Sequence, residues 1–169
     1  MSDRPDIRLE LVSNPIYLCG VREFMATVGS RLGFDSMQCS QIALAVDEAL
    51  ANVIVHGYER RPDGRIWVTL EPLADDGRGV GVRIVIEDEA RQIDPVHIKG
   101  RALEDIRPGG LGVHIIREVM DEARYEKRER VGMRLTLVKR QGSPAKGVMP
   151  ATGTCRVIDA PPGAGRGDG

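Results

Sequence analysis

A two-layer α/β sandwich, with helices on one face of a mixed, mainly antiparallel sheet, is the fold class this sequence predicts. Three observations carry it. "DIRLELVS", "GVRIVIED" and "MRLTLV" alternate apolar and polar residues, the period of strands covered on one side only. Three other segments place apolar residues at helical spacing. The resulting order, β-α-α-β-β-long loop-α-β-β, leaves the helices one sheet face to bury against.

The first strand, around residues 6–13, sets Ile7, Leu9 and Leu11 on one side. Ser13-Asn14-Pro15 then reads as a helix start, with Asn14 capping and Pro15 at the first helical position. That helix runs to about Gly33, which can take the left-handed stop. A second helix opens at Asp35 or Ser36 and carries Ile42, Ala45, Val46, Ala49, Leu50 and Val53 as its stripe before "HGY" ends it. "ERRPDGR" is a turn, and "RIWVTLEPL" and "GVGVRIVIED" form a hairpin across "ADDGRG". Residues 89–108 lack a sustained period and are too long for an ordinary connection, which marks them as functional or mobile. A third helix starts in "GGLGVHIIREVMDEA", and the strands "RYEKRE" and "GMRLTLVKR" close the domain. "RYEKRER" reads as a solvated edge strand, and Trp67 as core or rim. The predicted domain spans 5–140; residues 141–169, rich in Gly and Pro, read as a disordered C-terminal tail.

With 169 residues, 41% hydrophobic and 29% charged, the chain can bury a proper core. A net charge of -1 argues against direct nucleic-acid binding by broad phosphate neutralisation. No stretch has the length to span a membrane, and the N-terminus lacks an apolar secretory core, so a cytoplasmic protein without membrane contact is expected. Cys19, Cys39 and Cys155 show no metal-ligand spacing and are expected to be buried or idle thiols. His97 and His114 have no ligand partners in sequence.

Three motifs carry chemistry. In "DEALANVIVHGY", Glu48 and Asn52 lie four apart, hence neighbours on the helix, just off the apolar stripe. An amide oxygen suits a hard cation, and a carboxylate beside it suits a base; a merely solvated helix face is the plainer alternative. Asp88 stands just past the apolar run 82–86, where a carboxylate can accept from a purine amine or, more plainly, bond its own turn. "PGGLGVHII" sets Gly109, Gly110 and Gly112 at a helix entry, which suits phosphate approach or simply a tight loop. The chain has no GxxxxGK[ST], so this is not a P-loop.

Taken together in this order, "DEALANVIVHGY", "IEDEARQIDP" and "GGLGVHIIREVMDEARYE" resemble the N, G1 and G2 boxes of the GHKL ATP-binding superfamily. The nearest branch is the anti-sigma factor serine-protein kinases of RsbW type, and the resemblance covers about residues 5–140. It implies a Bergerat, histidine-kinase-like ATPase fold that binds ATP with Mg²⁺. By the same resemblance Asn52 would hold the metal, Glu48 would be the catalytic base, and Asp88 would accept from the adenine amine. Gly110 and Gly112 would meet the phosphates, Leu111 would pack near the nucleotide, and 89–108 would be the ATP lid.

The implied function is phosphorylation of a Ser or Thr on a STAS-domain anti-anti-sigma protein, with sequestration of a sigma factor. The protein would act as a homodimer, using the first helix and its neighbourhood as a dimer or sigma face. The chain departs from the family in the G1 box, where Glu89-Ala90-Arg91-Gln92 replaces glycines. A Cβ on Ala90, if the position needs positive φ, costs about 1–2 kcal/mol, about tenfold in affinity. Weakened nucleotide binding follows from it, and so does an alternative function: a partner-binding module, with or without nucleotide, that lacks kinase activity.

Overall fold

The computed structural model describes residues 6–77, 79–98 and 111–142. In chain order its elements are β1 (Ile7–Val12), α1 (Leu18–Arg31), α2 (Ser36–Asn52), β2 (Arg65–Leu73), β3 (Gly81–Asp88), α3 (Leu111–Val119), β4 (Glu122–Lys127) and β5 (Met133–Arg140). This is the expected order. The strands form one sheet, β1-β2-β3-β5-β4, in which each pairing is antiparallel, so the expected mixed sheet is wholly antiparallel here.

Register sorts the residues into two faces. Leu9, Val68, Ile86, Leu135 and Tyr125 pair across the sheet in one row. The adjacent row, Glu10, Trp67, Glu87, Arg134 and Glu126, points the other way because side chains alternate along a strand. The first row meets α2, whose Ile42, Ala45, Val46, Ala49 and Leu50 join Ile66, Val68, Ile84, Ile86 and Leu137 in one buried core. Full burial of each large aliphatic side chain stabilises by about 1.5–3 kcal/mol. The second row is free of helices. There Trp67 lies between the Arg65 and Arg128 guanidinium groups, 5.1 and 5.3 Å from its ring centre. It is core-like in burial yet sits outside the core.

Local signals act as the sequence requires. The Asn14 side chain accepts from the Ile16 N–H and Pro15 opens a 3-10 turn leading into α1, while Asp35 caps α2 by accepting from the Gln38 N–H at 2.7 Å. Gly33 has φ +89, the left-handed stop after α1.

Three boundaries differ. The third helix ends at Val119, not in "DEA", and β4 begins at Glu122. The sheet captures Asp121: its N–H donates to the Val138 carbonyl and its carboxylate accepts from the Arg140 N–H at 2.6 Å. The buried Lys139 ammonium donates to the Val119 carbonyl at 2.8 Å and closes the helix. Gln141, assigned to the tail, is tied to the domain through bonds to the Leu32 and Val80 carbonyls; the rest of the expected tail, from 143, lies outside the described residues. Cys39 is a buried free thiol, as expected, and Cys155 lies outside the described residues. Among the described residues, no helix is long and apolar enough to cross a membrane.

Candidate functional site

α2 does not end cleanly after Asn52. The chain widens into one π-helical turn, Val53–Gly57, in which the Tyr58 N–H reaches back five residues to the Val53 carbonyl at 2.8 Å. Such turns recur at functional sites. This one places Val53, His56 and Gly57 on the wall of a cavity of about 240 Å³ between the end of α2, the sheet and the segment after β3. That is below the usual range for small-molecule pockets, about 300–1,000 Å³, and gives room for a heterocycle rather than a whole nucleotide. Its lining is mostly apolar, including Ala49, Ile86, Ile93, Val113 and Leu135, with Asn52 and Asp88 among the few polar groups.

At one side of this region, α3 meets α2 through Gly112. A Cβ there would stand 2.7 Å from Glu48 Oε2 and 3.3 Å from the Asn52 Nδ2. The bare glycine leaves the start of α3 room to come this close to both side-chain ends, so two segments about 60 residues apart share one spot. Asn52 Nδ2 is buried with no hydrogen-bond partner, an arrangement that costs stability unless a ligand completes it. Among the described residues no group of three or more His, Cys, Asp or Glu side chains is placed to hold a metal. A half-turn of the Asn52 side chain would offer its amide oxygen, the one group here that would hold a hard cation such as Mg²⁺.

Asp88 forms the other polar wall. It is 4% exposed, and its Oδ1 accepts from the Ala90 N–H at 2.8 Å and the Met133 N–H at 3.2 Å. Burial pushes its carboxyl pKa up, against the pull of those two N–H groups and of Arg128. The Arg128 guanidinium donates to the Asp88 carbonyl at 2.6 Å. Gly132, at φ +85, is required beside it, since a Cβ would overlap that same carbonyl.

The structure thus brings Glu48, Asn52 and Gly112 together and lines the cavity with Asn52 and Asp88. It leaves Leu111 48% exposed and outside the lining. Gly109, Gly110 and the later part of the expected lid, 99–108, lie outside the described residues. Arg91, Ile93, His97 and Ile98, from its earlier part, do line the cavity.

The penalty expected at Ala90 is corrected. Among the described residues only Glu59 and Arg60 are non-glycine residues at positive φ, so Ala90 adopts ordinary backbone and carries no such strain. Its Cβ is buried against Gly57, where an added Cβ would approach to 2.9 Å. A glycine on the helix accommodates the alanine in the loop.

Sequence reasoning also missed Tyr58, read there as a plain helix end. Its buried hydroxyl donates to the Arg65 carbonyl at 2.5 Å and accepts from the Glu89 N–H at 2.8 Å, fixing the turn just after Asp88. Its ring fills the space over Gly64, which cannot carry a Cβ. Adjacency of Tyr58 to the Asn52 motif was the one available signal.

Comparison with known proteins bears on the family and the fold. The family model described as "Histidine kinase-like ATPase domain" matches residues 11–139. The chain is 29% identical over 137 residues to the serine-protein kinase RsbW of Listeria monocytogenes serotype 4a (strain HCC23), covering 77% of this chain and 85% of that one. It is 28% identical over 138 residues to the anti-sigma F factor of Clostridium novyi (strain NT), covering 79% and 93%. With the anti-sigma F factor of Priestia megaterium the identity is 34% over 106 residues, covering 60% and 69%. Among solved structures, that of the RsbU and RsbW domains of Rv1364c from Mycobacterium tuberculosis matches with a TM-score of 0.55 at 21% identity. That match covers 88% of this chain and 35% of the other, and it shows a shared fold. The chain belongs to the histidine kinase-like ATPase domain family of the GHKL type, in the branch of the anti-sigma factor serine-protein kinases.

Proposed function

We propose that this protein is a Mg·ATP-dependent anti-sigma factor and serine-protein kinase. Its substrate would be a Ser or Thr of a STAS-domain anti-anti-sigma partner, and its other partner a sigma factor. The observation that carries this reading is the packing of Gly112 against Glu48 and Asn52. It joins a carboxylate, an orphaned amide and a bare stretch of backbone beside an apolar cavity with an acidic wall.

Each residue then has a task. Asp88 accepts from the adenine amine, and Ile86, Ile93 and Leu135 supply apolar surface for the base. Gly112, with Gly110 just before it, lets the phosphates approach backbone N–H groups at the start of α3. Asn52 holds Mg²⁺, which when bound neutralises phosphate charge and fixes the phosphates' orientation. Glu48 takes the proton from the attacking hydroxyl. Phosphoryl transfer asks mainly for positioning and charge neutralisation, so this small set suffices. The domain would span 5–140 and work in the cytoplasm as a homodimer, with α1 and its surroundings as the dimer or sigma face. Partner exchange would follow nucleotide and phosphorylation state, because a ligand shifts populations only by differential binding.

The test is transfer of label from [γ-³²P]ATP to a STAS-domain protein encoded beside this one. Transfer by the wild type that disappears in Glu48→Ala, with ATP binding retained, is the expected result. Tight ATP binding by the wild type with no transfer to any such partner would leave a sequestering module instead of a kinase.

A further inference from the structure

Three buried side-chain polar atoms among the described residues have no hydrogen-bond partner: Gln41 Oε1, Asn52 Nδ2 and the Tyr125 hydroxyl. The last two belong to side chains that line the same cavity. Asn52 already has a task in the reading above. Tyr125 has none. It stands on β4 at the sheet edge, opposite Leu135, in the row that runs toward the helices. Burial pushes its phenol pKa up to about 12, so it is neutral at any working pH and can donate or accept. An unpaired hydroxyl buried in a protein is costly, and a place in a ligand cavity explains why it is kept.

Its surroundings select the part of the ligand it meets. Ile98, Val113 and Leu135 line the cavity with it, apolar surface that suits an uncharged ring better than a phosphate, while Arg91 is a cationic side chain on the same lining. Arg117, the cation whose charge reaches the phenol, is exposed, donates to the Ile98 carbonyl at 3.0 Å and does not line the cavity. We propose that the Tyr125 hydroxyl hydrogen-bonds the uncharged nucleoside half of the bound nucleotide and so contributes to choice of ligand. This rests on the nucleotide reading above and adds a residue that the three sequence motifs do not assign.

Calorimetric titration of the full chain and of Tyr125→Phe, with Mg·ATP and separately with adenosine, tests it. The expected result is a Kd raised roughly tenfold for both ligands by the same factor. The melting temperature without ligand should stay the same or rise, because the lost hydroxyl had no partner. A structural tyrosine would instead lower the melting temperature and leave affinity alone. An unchanged adenosine Kd in Tyr125→Phe, whether or not ATP is weakened, overturns the contact while leaving the nucleotide reading in place. Failure of the wild type to bind either ligand would sink that reading and this contact with it.

Discussion

On the helix-free face of the sheet, charges meet opposite charges. Arg65 pairs with Glu10, Arg83 with Glu71, Arg134 with Glu87 and Arg124 with Glu126, all at 2.6–2.8 Å. On the helix-covered side, around the cavity, polar groups are buried and left incomplete, as at Asn52 Nδ2 and the Tyr125 hydroxyl. The first arrangement costs little and contributes little, since exposed pairs are worth about 0–1 kcal/mol. The second costs stability and is kept. Where a fold holds buried polar atoms without partners, a ligand is the simplest completion, whereas self-satisfied charge is a way of staying soluble.

The largest effect that would sharpen this contrast is at Asn52. Asn52→Ala should weaken Mg·ATP binding by roughly 100-fold or more in calorimetry, on the order of 3 kcal/mol. Arg83→Ala, on the opposite face, should leave the same titration unchanged. Equal effects from the two would erase the distinction between the faces.

Asp88→Asn comes next. The amide oxygen can still accept from the Ala90 and Met133 N–H groups, so the turn holds. Adenine would face a donor in place of an acceptor, and affinity should fall about tenfold to 100-fold. The pH dependence has a definite sign. Burial raises the folded carboxyl above its ordinary value near 3.8, so its contribution to stability is present below that value and lost as pH rises through the raised one. Melting temperatures followed across this acid window should show the wild type losing ground to Asp88→Asn, with the variant the more stable of the two above it. Parallel curves would mean that the carboxylate is not penalised by burial.

The smallest effect concerns Gly112→Ala. The new Cβ meets the flexible end of Glu48, so stability should change by less than about 1 kcal/mol in either direction. The displaced carboxylate should slow phosphoryl transfer about tenfold while ATP affinity changes less. A variant that transfers phosphate at the wild-type rate would show that the Glu48 position is not critical.

Much of this was legible before any coordinates. Apolar period alone separates helices from strands, and a spacing of four on α2 already makes Glu48 and Asn52 neighbours, because helix geometry is local. The Asn14 and Asp35 caps and the stop at Gly33 are local as well, and they lie where the residue types demand. The end of α3 was not legible, because the competitor for Asp121 is the Arg140 N–H on a strand 19 residues later.

The site divides in the same way. Sequence by itself determined the order of elements, the covered sheet face and the residue types able to do chemistry, since all of these follow from neighbours along the chain. Only the tertiary structure decided that Ala90 is unstrained against Gly57, that Tyr58 fixes the turn after Asp88, and that Tyr125 lines the cavity while Leu111 stays exposed. Each of those depends on atoms brought close by packing across 30 or more residues of chain, or on where an element's face turns once the layers are stacked. No local pattern encodes such distances, and packing supplies them only when the whole core forms.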